Sequence, residues 1–192
     1  MSQREDLLEG AKKCLVEKGY SRTTARDIAA ASGAHLASIG YHFGSKDNLM
    51  NTAVLEAASE WGDTFEAAVR TAEARNPHDR ARALFEALFG TIPDRRPMLL
   101  ASVQAVAQAQ FDPDIRERLD AGYAQARLSM AAIVLGVPEE EVDEHAAASL
   151  GSVVYSLVSG YVLQAVIDPG SLPTVDQALA GLRTLAPEPG GN

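Results

Sequence analysis

Cysteine is almost missing from this chain: Cys14 stands alone, so no internal disulfide can close, and no Cys/His cluster offers the spacing of metal ligands. That scarcity predicts a reducing compartment, the cytoplasm. Also missing is the apolar stretch of about 7 to 15 residues that a secretory signal needs. The chain opens instead on the charged MSQREDLLEGAKK. Catalytic signatures are absent too: there is no GxSxG, no HExxH, no phosphate-cradling GxxxxGK and no GxGxxG, which excludes the enzyme classes those motifs serve and implies no cofactor. Glu140 and Glu144 form only a loose carboxylate pair on an acidic helix start. Glu141 and His145, four apart, have no third ligand for a metal. No run alternates with period two long enough to make a strand.

What is there fits a folded helical protein. The 192 residues suit one domain, or one small module joined to a larger one, and 46% hydrophobic with 22% charged residues is ordinary globular composition. The net charge of -9 argues against indiscriminate binding to nucleic acid. Its distribution is uneven: residues 1–50 hold seven Lys/Arg against six Asp/Glu, net +1, and residues 51–192 hold ten against twenty, net -10. The front can meet a polyanion while the back stays in solvent.

Apolar residues recur at helical spacing nearly throughout, predicting an all-α protein of about nine helices. Ser2 with Glu5, Thr24 with Asp27 and Thr174 with Gln177 read as capping boxes. Asn76-Pro77, Asp112-Pro113 and Val137-Pro138, the last followed by three glutamates, mark further starts. Gly19, Gly33, Gly90 and Gly136 mark ends. Residues 146–167 carry no charged side chain, long enough to span a bilayer. However, Ser149, Ser152, Ser156, Ser159 and Gln164 interrupt them, and the flanks are acidic where a spanning helix wants Lys/Arg. A buried helix with a small-residue stripe, meeting a second copy of the chain, is the reading that follows.

Residues 23–49, TTARDIAAASGAHLASIGYHFGSKDNL, have the grammar of a helix-turn-helix: a capped helix, a glycine turn, a second short helix and a new start at Ser45. Ile28 and Ile39 face inward, and Ala29 permits a close crossing. The outward positions His35, Ala37, Ser38, Gly40, Tyr41 and His42 are small or polar-tipped, suited to a helix lying deep in a major groove. Over residues 4–55 the chain resembles the TetR family of bacterial transcriptional repressors. The residues that carry the likeness are Gly19-Tyr20, Thr23-Thr24, Ile28-Ala29, Gly33, Ile39, Tyr41-His42-Phe43, Ser45-Lys46 and Leu49. Gly40 departs from it, since many members carry an aromatic residue there.

The resemblance implies a three-helix DNA-binding domain over residues 1–50. It further implies a helical ligand-binding and dimerisation domain over 51–186, with 187–192 as a flexible tail. By the same resemblance Thr24, Tyr41, His42 and Lys46 contact phosphates, His35, Leu36, Ala37 and Ser38 approach base edges, and Gly40 lies on the same face. Two copies would pair through the helices near 138–167 and 174–186, and a small apolar effector would release a palindromic operator. Trp61, Phe65, Phe89, Gln104, Gln108, Phe111, Tyr123 and Tyr155 are the candidates to line its cavity, beside Phe85, Met98 and Met130. Double-stranded DNA, the effector and a second copy are thus the expected partners, and a membrane is not. The competing function is a helical ligand-binding protein, or a lid-type enzyme, without DNA binding. Several residues have plainer readings: Tyr20, Phe43 and Leu49 as core, Cys14 as a buried thiol beside Leu7, Ala11 and Leu15, and His78 as solvated. Arg80, Arg82, Arg95, Arg96, Arg116 and Arg118 read as solvated faces.

Overall fold

The computed structural model describes residues 2–185, without the side chain of Gln108, so the expected tail at 187–192 lies outside the described residues. Eight α-helices and no strand occur among them: α1 (Gln3–Lys18), α2 (Ala25–Ser32), α3 (Ala37–Phe43), α4 (Lys46–Thr71), α5 (Pro77–Gln108), α6 (Pro113–Leu135), α7 (Glu144–Ile167) and α8 (Val175–Leu185). The all-α reading holds. By contacts the chain gathers into two compact units, one running up to Asp63 and including Arg95–Ala126, the other comprising Thr64–Asp94 and the chain from Arg127 on.

The predicted starts follow from local hydrogen bonds. Ser2 and Glu5 form a reciprocal box on α1, as do Thr24 and Asp27 on α2, each worth about 1 kcal/mol. Before α8, Gln177 Oε1 accepts from the Thr174 N–H at 2.9 Å. The Asp112 side chain accepts from the N–H groups of Asp114 and Ile115 at 3.0 and 3.2 Å, opening α6.

Two boundaries differ from expectation. Gly90 does not end a helix: α5 runs through it and through Pro93 and Pro97, which accounts for one helix fewer than predicted. Glycine tolerates the left-handed cap without demanding it, and each proline forfeits only one backbone bond. Buried Leu84, Phe85, Leu88 and Ile92 on one side, with Met98, Leu99, Ala101 and Ala105 on the other, keep the helix going. The start expected at Val137-Pro138 is a 3₁₀ turn over Glu139–Glu141. The helix proper waits for Asp143, whose carboxylate accepts from the Ala146 N–H at 2.7 Å.

Four of these arginines bond to neighbours: Arg80 and Arg82 are half-buried rather than solvated, Arg116 and Arg118 remain exposed as expected, and Arg80 and Arg116 serve carbonyls at a helix end, which need donors. Arg80 donates from Nε to the Val134 carbonyl at 2.8 Å and from its terminal nitrogen to Leu135 at 2.7 Å, closing α6. Arg116 Nε donates to the Ala109 carbonyl, just past the end of α5, at 3.2 Å. Arg82 pairs with Asp176 at 2.7 Å, and Arg118 donates to Thr52. His78 likewise meets Arg183, at 3.3 Å.

In the second unit α7 crosses α6 closely at Gly151. A Cβ there would lie 2.1 Å from the Arg127 carbonyl oxygen, so only glycine fits. Gly151 also ends a widened turn over Ala147–Gly151 with π-type bonding, a feature associated with local strain and function. α7 is long and apolar enough to cross a membrane by length and composition. Its faces are unequal: Val154, Val158 and Ala165 are buried, while Val153, Leu163 and Ile167 stand exposed, Ile167 at 79%.

Candidate functional site

The site grows from α1. Leu7, Leu8, Ala11, Cys14 and Leu15 form its buried stripe, and Ile28 of α2 and Ile39 of α3 are buried with them, together with Leu49 and Met50 of α4. Removing about 25 cal/mol per Å² of apolar surface from water is what holds three such short helices, none stable alone. α2 can lie close to α1 because position 10 is glycine. A Cβ there would meet Ser32 Cβ at 2.7 Å and the Ile28 carbonyl at 3.1 Å. Gly33 then turns the chain in the left-handed region, φ 70°, and delivers α3.

α3 buries only Ile39. His35, Leu36, Ala37, Gly40 and Tyr41 are exposed, Tyr41 at 86%, and nothing lies within 4 Å of a Cβ at Gly40. The structure thus leaves these predicted reading positions open to solvent. Ser38 and His42 are half-buried. The His42 ring meets Gln3 Oε1 at 3.4 Å and stands edge-on to Tyr41, centroids 4.8 Å apart. Arg4 lies over Phe43 at 5.2 Å.

Capped helix starts precede and follow α3 along the chain. At α2, Asp27 already occupies the anion position: its carboxylate accepts from the Thr24 N–H at 2.9 Å and from the Thr24 hydroxyl at 2.7 Å. A bond from Lys18 at 2.5 Å comes first in holding the Asp27 pKa far below the ordinary carboxylate value, with the Thr24 bonds next. Thr24 is therefore engaged within the protein. At α4, Ser45 Oγ accepts from the Asn48 N–H at 3.0 Å; the earlier N–H groups of this 26-residue helix have no carbonyl one turn back within it. Lys46 beside them is half-buried: its ammonium lies 2.9 Å from Asp47, 3.4 Å from the Thr23 carbonyl and 5.6 Å from the Tyr20 ring.

Tyr20 anchors this corner, donating to Asn51 Oδ1 at 2.7 Å. Burial first, and then Asp47, push its phenol up to about 12. Lys12 ties α1 to α4 through Glu60 at 2.6 Å and Glu56 at 3.3 Å, with Glu9 at 3.1 Å. Burial opposes that charge, but the three carboxylates outweigh it and raise the ammonium pKa.

The residues expected to line a cavity are divided between the two units. Trp61, Gln104, Phe111 and Tyr123 belong to the first, Phe65, Phe89 and Tyr155 to the second, and the Gln108 side chain lies outside the described residues. Trp61 and Phe65 are buried. Tyr123 packs with Leu55 on Ala109, Ile115 and Leu119. Phe89 stacks on Phe85 at 6.0 Å and meets Tyr161 edge-on at 5.1 Å; Tyr161 is a ring the sequence reading did not single out. Burial raises the Tyr155 phenol, against a bond with Ser159. Gln104 is exposed and bonded to Ser21, and Phe111 is 85% exposed. A surface groove of about 440 Å³ runs instead along α7, lined by Ala148, Ser149, Ser152, Val153, Ser156 and Leu157.

Comparison with known proteins agrees with this geometry. Residues 7–53 match the profile of bacterial regulatory proteins of the tetR family, and residues 77–187 match that of the BetI-type transcriptional repressor C-terminal domain. The HTH-type transcriptional repressor AcnR of Corynebacterium efficiens is 27% identical over 120 residues, 62% of this chain; the match spans 56% of that relative's length. A transcriptional regulator from Rhodococcus sp. RHA1 has the same fold, with a TM-score of 0.75 at 20% identity over 95% of this chain and 94% of the other. The multidrug binding protein EbrR, solved with imidazole, gives a TM-score of 0.68 at 26% identity over 100% of this chain and 98% of the other.

Proposed function

Because the chain belongs to the TetR family of bacterial regulatory proteins, we propose that it is a homodimeric, cytoplasmic repressor that a small, largely apolar molecule releases from a palindromic DNA operator. Residues 1–50 read DNA and residues 51–186 hold the effector and the second copy. The observation that carries the reading is the open face of α3, with His35, Leu36, Ala37, Gly40 and Tyr41 exposed beside the capped start of α4. Small residues let that helix approach base edges closely. The presented helix lacks Arg, Lys, Asn and Gln, so no bidentate base reader is available, and specificity leans on His35, thymine contacts and duplex shape. Lys46 exchanges Asp47 for a backbone phosphate next to the α4 N–H groups, which supplies affinity without sequence information. Tyr41 and His42 add contacts at the margin.

The small-molecule half of the proposal leans on the fold likeness to EbrR, a multidrug binding protein. Phe65, Phe89 and Tyr155, all within the second unit, remain the proposed apolar contacts. Two copies meet over the exposed side of α7, where Val153 lines the small-residue groove and Leu163 and Ile167 stand exposed further along, and along α8. Bringing two reading helices about 34 to 36 Å apart would match successive major grooves. Effector binding shifts α4, which starts at the Ser45 cap, and its leverage equals the effector's preference for the non-binding state.

The test is a titration of duplex selected by the protein from a randomised pool, against random duplex, at several salt concentrations. Log affinity should fall linearly with log salt, and Lys46→Ala should weaken both duplexes alike and flatten the slope by about 1. His35→Ala and Ser38→Ala should change preference among sequences instead. Absence of any salt-dependent binding would favour the ligand-binding protein without DNA.

A further inference from the structure

Two side chains from beyond the reading module reach back into it, at separate places. Gln104 of α5 donates from Nε2 to Ser21 Oγ at 3.2 Å, just ahead of the Thr24 cap. Arg118 of α6 donates to Thr52 Oγ1 at 2.8 Å. That hydroxyl donates in turn to the Asn48 carbonyl at 2.8 Å, and the Asn48 N–H donates to Ser45 Oγ at 3.0 Å. A relay therefore runs from α6 to the first residue of the α4 cap. Thr52 is only 8% exposed, so the hydroxyl end of this charge-assisted bond is shielded, while Arg118 itself remains exposed.

The turn between the helices that carry the two donors is tied at both ends. Asp112 holds the first N–H groups of α6, and Arg116 holds the carbonyls that follow the end of α5, reaching Ala109 at 3.2 Å and Gln110 at 3.4 Å. Leu55 of α4 and Tyr123 of α6 pack against Ala109, Ile115 and Leu119, giving the turn an apolar backing. Contacts accordingly place Arg95–Ala126 in the same compact unit as the reading module.

We propose that Gln104 and Arg118 are positioning residues for DNA reading. They brace the loop before α2 and the start of α4, the two segments on either side of α2 and α3, and so fix the attitude at which α3 meets the duplex. Neither touches DNA. The inference rests on the repressor reading, and it moves Gln104 from the cavity wall to the brace.

Free protein tests the brace without any duplex. In Arg118→Ala, amides of residues 45–52 should exchange with solvent at least about tenfold faster, while those of α8 keep their rates; unchanged exchange at residues 45–52 overturns the proposal. With the duplex that wild type selects from a randomised pool, Arg118→Ala and Gln104→Ala should each weaken binding about tenfold, leave affinity for random duplex within about twofold and keep the wild-type salt slope. Thr52→Val should reproduce Arg118→Ala, the double variant should be no worse than either, and Thr52→Ser should behave as wild type. A slope lowered by about 1 in Arg118→Ala would make Arg118 a phosphate contact, and equal loss on both duplexes would make it merely structural; either result overturns the assignment. If wild type selects no duplex at all, the repressor reading fails, and the exchange rates alone decide whether the brace exists.

Discussion

Gly10→Ala should give a protein that is still helical but has lost most of its affinity for the selected duplex. The added methyl would sit 2.7 Å from Ser32 Cβ and 2.9 Å from the Ser32 nitrogen. Backbone atoms cannot rotate away, so α2 must retreat from α1. Alanine's advantage in a helix, about 1 kcal/mol, is set against an overpacking cost of about 1 to 3 kcal/mol, so net stability falls modestly. Affinity suffers more, because α2 carries α3 with it through the turn at Gly33, and a reading helix displaced by a fraction of an ångström loses its register in the groove. Circular dichroism with gel-shift titration separates the two effects. Wild-type binding by this variant would mean that α2 can move without consequence for α3.

Gly151→Ala should be the most destabilising single change. Its methyl would fall 2.1 Å from the Arg127 carbonyl oxygen and 2.9 Å from the Arg127 carbonyl carbon, far inside contact distance, so α6 and α7 cannot keep their crossing. A cost of about 3 kcal/mol or more is expected, which for a chain of this size lowers the melting temperature by roughly 10 °C. Gly160→Ala on the same helix is the control, since nothing lies within 4 Å of its Cβ and helix propensity alone then favours alanine by up to about 1 kcal/mol. Equal melting temperatures for the two variants would refute the close crossing.

Features written within three or four residues were legible before any coordinates. The boxes at Ser2–Glu5 and Thr24–Asp27 and the caps at Asp112 and Thr174 are local exchanges of hydrogen bonds, and all are present. The buried stripe of α1 and the inward Ile28 and Ile39 follow from the 3.6-residue period. What the sequence hid is what joins distant positions. Arg80 and Val134 are 54 residues apart, Arg118 and Thr52 are 66, and Gln104 and Ser21 are 83; no spacing rule connects such pairs. An arginine among acids looks the same whether it is solvated or closes a helix. Gly10, Gly90 and Gly151 likewise look equivalent in the sequence. One permits a helix crossing, one interrupts nothing, and one is wedged against a carbonyl. The acidic run after Pro138 suits a helix dipole and so predicts a start there, but the cap that decides the start belongs to Asp143.

Cys14 lies sealed among the apolar side chains of α1, and burial, ahead of the charge of Asp27, pushes its thiol above the ordinary value. Little thiolate forms at neutral pH, and reagents cannot reach what does. The native chain is in effect a silent background for maleimide chemistry: a cysteine placed on the exposed face of α3 or at the surface of α8 would take up a fluorophore alone, with no prior removal of Cys14 from the core.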